Sequence, residues 1–286
     1  MNQLAIYQIS NQNELDFDKY NINSLPSDLP ENLKALRFSH TQITHLPKLP
    51  DSIEIIMCRN SKLKSIDQLP NNLTKLDCSM SQVEKINILP PNLEILTVAH
   101  NYLTNLPQLP PSLKFLNCTN NKITALGQLS KSLGVLNVSK TALNTLPALP
   151  ANLQSLDCSY TDISKLPYLP ETLEILNIVG TQIKRLPNIP LHIRTITCSC
   201  KFMLDAFEEL PKTLTTFACV CKIEKDCFEC YYKMVSYNYI ISYNEAFQTW
   251  KEEKSKARII SRTRLLYHDL ISAKYELPTF ESELMC

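Results

Sequence analysis

A Leu-Pro pair that returns every 20 residues constrains this chain more than any other feature. It stands at Leu29-Pro30, Leu49-Pro50, Leu69-Pro70, Leu89-Pro90, Leu109-Pro110, Leu149-Pro150 and Leu169-Pro170; Ile189-Pro190 follows, and Leu129-Ser130 fills the missing slot. Of the 18 Pro, all but Pro278 lie between Pro26 and Pro211, so Pro marks the turns of an array rather than scattered breaks. Behind each pair one apolar frame recurs: Leu73, Leu76, Cys78, Val83 and Ile86 in one unit, then Leu93, Leu96, Val98, Leu103 and Leu106. A unit this short buries its apolar edge only against its neighbours, which means a solenoid. About nine units run from Glu31 to Pro211, the last with a one-residue insertion.

Within a unit, Leu-x-x-Leu-x-Cys/Val alternates as a short strand does, and parallel strands stack at about 4.8 Å. The turn that follows carries a short hydrogen-bonding side chain at one position: Thr41, Ser61, Ser81, Asn101, Asn121, Thr141, Thr161 and Thr181. Such a ladder satisfies backbone groups where the chain leaves the sheet. The return segment, as in Leu106-Pro107-Gln108-Leu109-Pro110, suits polyproline II, because Pro fixes φ and donates no hydrogen bond. The expected architecture is an α/β solenoid with a parallel β concave face and extended, polyproline-like convex returns. Residues 1–24 read as an N-terminal cap, 25–223 as the solenoid of about nine to ten repeats, and 224–286 as a mostly helical C-terminal cap.

Composition narrows the function classes. Charge is balanced at 29 Lys+Arg against 28 Asp+Glu, which argues against coating nucleic acid or an anionic membrane. Three Gly leave no room for a phosphate loop or a dinucleotide fingerprint, and no cofactor is expected. No stretch is apolar enough for an integral membrane segment, and Met1 to Ser10 lacks the cationic start of a cleaved signal. Eleven Cys in such a chain suggest reduced thiols.

The unit Leu113-Lys-Phe-Leu-Asn-Cys-Thr-Asn-Asn-Lys-Ile-Thr-Ala-Leu126, with its linking Leu-Pro-x-Leu-Pro, resembles the short leucine-rich repeats of bacterial secreted effectors of the IpaH, YopM and Legionella kinds. The resemblance covers roughly residues 21 to 223. It implies a leucine-rich-repeat horseshoe, a host-interacting bacterium and action in the host cytoplasm. IpaH proteins also carry a ubiquitin-ligase domain with a Cys-x-Asp motif. The residues after the array hold no Cys-x-Asp, so that activity is not expected here.

Two cysteine groups bear on chemistry. Cys58, Cys78, Cys118, Cys158 and Cys198 share one repeat position with Phe38, Val98, Val138 and Ile178, which marks them as core side chains. Cys200, Cys221, Cys227 and Cys230 fall outside that column, and Cys227-x-x-Cys230 has knuckle spacing. These four are candidate zinc ligands, with reduced structural thiols as the principal alternative. No His stands near a Cys in sequence, and no catalytic residue is assigned.

The wall of strands presents two outward columns. One holds Ala35, Ile55, Lys75, Ile95, Phe115, Val135, Ser155, Ile175 and Thr195; the other holds Arg37, Met57, Asp77, Thr97, Asn117, Asn137, Asp157, Asn177 and Thr197. The adjoining turn adds His40, Arg59, Asn60, Met80, His100, Lys140 and Tyr160. An apolar row beside short polar groups is an interface pattern, and β-branched residues that merely suit strands are the alternative. Without a basic stripe, the expected partner is a protein, a host protein or another bacterial effector, and not nucleic acid.

The ends complete the expectation. Asn13 to Tyr20 reads as a short helical cap, with Leu15, Phe17 and Tyr20 over the first unit. Ile259, Thr263, Leu266 and Leu270 repeat at helical spacing in the C-terminal cap. Glu276, Glu281, Glu283 and Leu284 resemble the secretion tail of Legionella type IV substrates. The reading is a non-catalytic effector that grips a partner protein with its concave face and regulates or inhibits it; an enzyme or ligase adaptor acting through residues 224–286 is the runner-up.

Overall fold

The computed structural model describes residues 13–18, 20–199 and 214–219. The expected C-terminal cap, the four candidate zinc cysteines and the Glu-rich tail lie outside the described residues. Nine short strands follow the repeat: β2 (Ala35–Arg37), β3 (Ile55–Met57), β5 (Lys75–Asp77), β7 (Ile95–Thr97), β8 (Phe115–Asn117), β9 (Val135–Asn137), β10 (Ser155–Asp157), β11 (Ile175–Asn177) and β12 (Thr195–Cys198). With β1 (Glu14–Asp16) and β13 (Thr216–Cys219) at the two ends, they form one 11-stranded parallel sheet in chain order. Each strand pairs with the residue 20 positions on, from Ala35↔Ile55 to Ile175↔Thr195. The last step, Thr195↔Thr216, takes up the inserted residue.

Alternation within the strands places the core. The middle residue of β2 through β12, Leu36 to Ile196, is fully buried, as are Leu33, Phe38 and Ile43 and their equivalents. A buried side chain of this size contributes about 1.5–3 kcal/mol. Each unit supplies several, and their contacts are with the units above and below, so stability is a property of neighbouring repeats. After each Leu-Pro pair the Pro carbonyl accepts the N–H three residues on, as Pro70 does from Leu73 at 3.1 Å, and this turn feeds the next strand. At the slot without Pro, Ser130 is buried and donates its hydroxyl to the Pro111 carbonyl at 2.7 Å.

A second sheet shows what Pro does in the returns. β4 (Ser65–Ile66) and β6 (Lys85–Ile86) pair in parallel on the return side. These consecutive units carry Asp67 and Asn87 where others carry Pro47, Pro107, Pro147, Pro167 and Pro187. Asn87 donates its N–H to the Ile66 carbonyl at 3.0 Å, a bond Pro cannot make. No helix occurs among the described residues.

The N-terminal expectation is corrected. Glu14–Asp16 is strand β1, not part of a helix, and it pairs with β2 at Glu14↔Ala35. Leu15 and Phe17 are buried two residues apart with Asp16 between them, a period that only a strand satisfies. Leu15-x-Phe17 repeats Leu36-x-Phe38, so this segment is an early copy of the unit. Tyr20 is exposed rather than laid over the core.

Candidate partner-binding surface

The outward columns stand where alternation puts them, with three qualifications. Ile55, Lys75, Ile95, Phe115, Val135 and Ser155 are half-buried in one row, and Ile175 is exposed. Ala35 is buried instead of outward. In the second row Arg37, Met57, Thr97, Asn117, Asn137, Asp157 and Asn177 are half-buried. Asp77 is not available as an outward contact: it is buried, with Oδ2 held by Arg59 Nε at 2.9 Å and Oδ1 accepting from the Ser79 N–H and hydroxyl. Arg59 keeps an exposed side chain.

Sequence reading also missed that the polar row is structural. Asn117, Asn137, Asp157 and Asn177 each accept, through Oδ1, the N–H two residues on, at 3.1, 3.0, 2.9 and 3.2 Å. This Asx turn closes the strand. The recurring pairs Asp77-x-Ser79, Asn137-x-Ser139 and Asp157-x-Ser159 carried that signal. Only the second polar atom of each side chain is left to a partner.

Beyond the Asx turn lies a feature the sequence hid. His40, Asn60, Met80, His100, Asn120, Lys140, Tyr160 and Gly180 all have positive φ, between 52° and 68°. Each of the first seven donates its N–H to the next repeat, as Met80 does to the Ala99 carbonyl at 2.8 Å, and the left-handed residue then turns the chain off the sheet. A side chain other than Gly or Asn costs about 1–2 kcal/mol in that conformation. The seven side chains and Gly180 form an exposed row along the downstream edge of the sheet. Within it Asn60 contacts His40 Nδ1 at 3.0 Å, Asn120 contacts His100 Nδ1 at 2.8 Å, and Lys140 Nζ lies 5.8 Å from the Tyr160 ring centroid.

The expected ladder holds this edge from beneath. Thr41, Thr141, Thr161 and Thr181 donate their hydroxyls to the carbonyl three residues back, at 2.6–2.8 Å. Asn101 and Asn121 do more: Asn121 accepts the Leu103 N–H at 3.0 Å and donates to the Val98 and Cys118 carbonyls at 2.9 Å. Among the described residues no buried side-chain N or O lacks a partner.

The cysteine column is core, as its interchange with Val and Ile implies. Cys58, Cys78, Cys118, Cys158 and Cys198 are buried free thiols. Burial pushes the Cys118 thiol up to about 12, and burial with help from Asp157 does the same for Cys158. Burial first, and then the neighbouring Cys78, raise Cys58. Buried thiols held this far from ionisation behave as small apolar core side chains. No group of His, Cys, Asp and Glu that could hold a metal occurs among the described residues, nor does a helix long and apolar enough to cross a membrane.

Comparison with known proteins gives the array its relatives. No family model matches. The Shigella flexneri E3 ubiquitin-protein ligase ipaH9.8 is 41% identical over 46 residues, which is 16% of this chain and 8% of that protein. YopM from Yersinia enterocolitica superposes with a TM-score of 0.68 at 29% identity, covering 73% of this chain and 50% of that one. YopM from Yersinia pestis, a leucine-rich effector protein, gives 0.66 at 31% identity, covering 72% and 59%. The chain thus spans about half the length of its YopM relatives and a small part of the ligase. In fold and in repeat sequence it is a leucine-rich-repeat solenoid of the kind found in the bacterial effectors YopM and IpaH.

Proposed function

We propose that the chain is a non-catalytic effector that binds a partner protein on the outward, concave face of its sheet, here called the outer face, and regulates or inhibits it. The observation that carries this reading is the in-register row Ile55, Ile95, Phe115, Val135 and Ile175, half-buried or exposed beside the polar row. A parallel sheet tied at every strand loses little freedom on binding, which favours tight association. Its likeness to YopM supports secretion into a host cell, with a host signalling protein or a co-secreted enzyme as partner. The Glu276, Glu281 and Glu283 tail is the proposed type IV signal, and its deletion abolishes translocation while leaving the array folded.

The test is a Phe115→Asp/Ile95→Asp double variant in affinity capture from host and bacterial lysates. The partner captured by the natural chain is lost from the variant, with circular dichroism and melting temperature retained. Undiminished capture refutes the outer face as the contact. The identity shared with ipaH9.8 favours one second reading, a ligase adaptor acting through residues 224–286. Under the first reading an array truncated at 223 keeps the partner, and under the second the truncated array binds without effect.

A further inference from the structure

The downstream edge has the properties of a second contact, and its chemistry specifies a ligand. Tyr160, at φ 54°, is 53% exposed and has a left-handed backbone that Gly would occupy without strain, as Gly180 does in the next repeat. Its ring is not loose. A Cβ on Gly180 would come within 2.7 Å of Tyr160 Cδ1, so the ring fills the space that glycine leaves. Lys140 reaches over the ring from the other neighbouring repeat. Two repeats earlier, and two residues past the left-handed column, the pair recurs in reverse order: Tyr102 is 52% exposed, with Lys122 Nζ of the following repeat at 5.9 Å from its ring centroid. Met80, also left-handed, is 59% exposed on the same row.

The charge on this edge is one-sided. The left-handed positions and those two residues on hold Lys62, Lys122 and Lys140 against a single acid, Asp162. Among the described residues neither Lys122 nor Lys140 has an acidic partner. An exposed ammonium braced on a tyrosine is placed for a carboxylate, and tyrosine adds rigid contact area at small entropic cost. Among the described residues every positive φ lies on this edge, and strain of that kind clusters at functional sites.

We infer that the downstream edge, through Tyr102, Lys122, Lys140 and Tyr160, binds an acidic segment of a protein. The inference rests on the chain being a protein-binding surface and adds the chemistry of what one edge accepts. Two braced lysines on adjacent repeats, with Asp162 one repeat beyond Lys140, fit a short run of carboxylates. They are too few for a nucleic-acid backbone, whose binding scales with the number of phosphates neutralised.

The experiment is selection of a random-peptide phage library on the full chain. Asp- and Glu-rich peptides are enriched on the natural chain. For the best of them, affinity falls by about tenfold or more in Lys122→Glu/Lys140→Glu, as reversal of rim charges predicts. Tyr160→Gly also weakens it while keeping the melting temperature, because glycine relieves the left-handed strain. Phe115→Asp/Ile95→Asp leaves acidic-peptide binding intact, which separates this edge from the outer face. Selection of neutral or basic peptides, or of none, overturns the inference. So does equal affinity for the charge-reversed variant, or tighter binding of an oligo-dT strand than of the peptide. Peptides lost only in the Phe115→Asp/Ile95→Asp variant overturn the edge and leave the outer face standing.

Discussion

The two edges of the one sheet are built on opposite rules. On the upstream edge, just before the strands, cations are answered by acids on an adjacent repeat: Lys34 Nζ with Glu54 at 2.5 Å, Lys114 Nζ with Glu94 at 2.8 Å, and Arg194 Nε with Glu174 at 3.5 Å. The backbone there needs no positive φ. On the downstream edge the backbone is left-handed in eight successive repeats, and the lysines lean on tyrosines instead of carboxylates. The same 20-residue unit produced both edges, so repetition alone did not choose their chemistry. An edge that neutralises itself asks nothing of a partner. An edge that holds strain and unanswered charge has side chains whose value lies outside the chain.

The sharpest way to break the contrast is to remove what holds the downstream edge from beneath. Asn121→Ala deprives the Leu103 N–H and the Val98 and Cys118 carbonyls of their buried partner. Leaving such groups unpaired costs about 2–4 kcal/mol in all, and denaturant unfolding reads it as a lowered midpoint. A loss under about 1 kcal/mol means that water replaces the amide and that the ladder does not set the edge.

A middle-sized effect tests the strain itself. Gly180→Ala puts a Cβ at φ 68° and within 2.7 Å of Tyr160 Cδ1, and costs about 1–2 kcal/mol. In a Tyr160→Gly background the steric part vanishes and only the backbone part remains, so the two changes are non-additive. Strict additivity in unfolding free energy means that the ring does not rest on Gly180. The braced tyrosine would then lose one of its two supports.

How much of this was legible in the sequence follows from what repetition can encode. Positions that keep one residue type declared themselves: the Leu frame, the Cys column that interchanges with Val, and the Thr, Ser and Asn ladder all lie where the period placed them. The left-handed column did not declare itself, because His40, Met80, Lys140 and Tyr160 obscure what Asn60, Asn120 and Gly180 signal. Asp77 was read as outward because alternation is a rule about Cβ direction. It ignores Arg59, which reaches across from the turn of the neighbouring repeat and pairs with the buried carboxylate. The helix expected at 13–20 gives way to a strand because Leu15 and Phe17, ahead of the first Leu-Pro pair and one residue off the 20-residue period, already carry the frame of Leu36 and Phe38.

The smallest predicted effect decides whether free charge alone distinguishes the edges. Glu94→Gln leaves Lys114 without its partner, yet both side chains are about half exposed, at 43% and 59%. Exposed ion pairs contribute about 0–1 kcal/mol, so unfolding shifts little, and salt erases the difference. The informative measurement is acidic-peptide binding by this variant and by Glu174→Gln, which frees Arg194. Neither gains affinity if a carboxylate needs a braced tyrosine beside the cation, because Thr74, Gly134 and Gln154, the other residues in that column, offer no aromatic platform. A gain comparable to the affinity lost in Lys122→Glu/Lys140→Glu would show that any unanswered cation on the solenoid suffices. The downstream tyrosines and their strained backbone would then need another explanation.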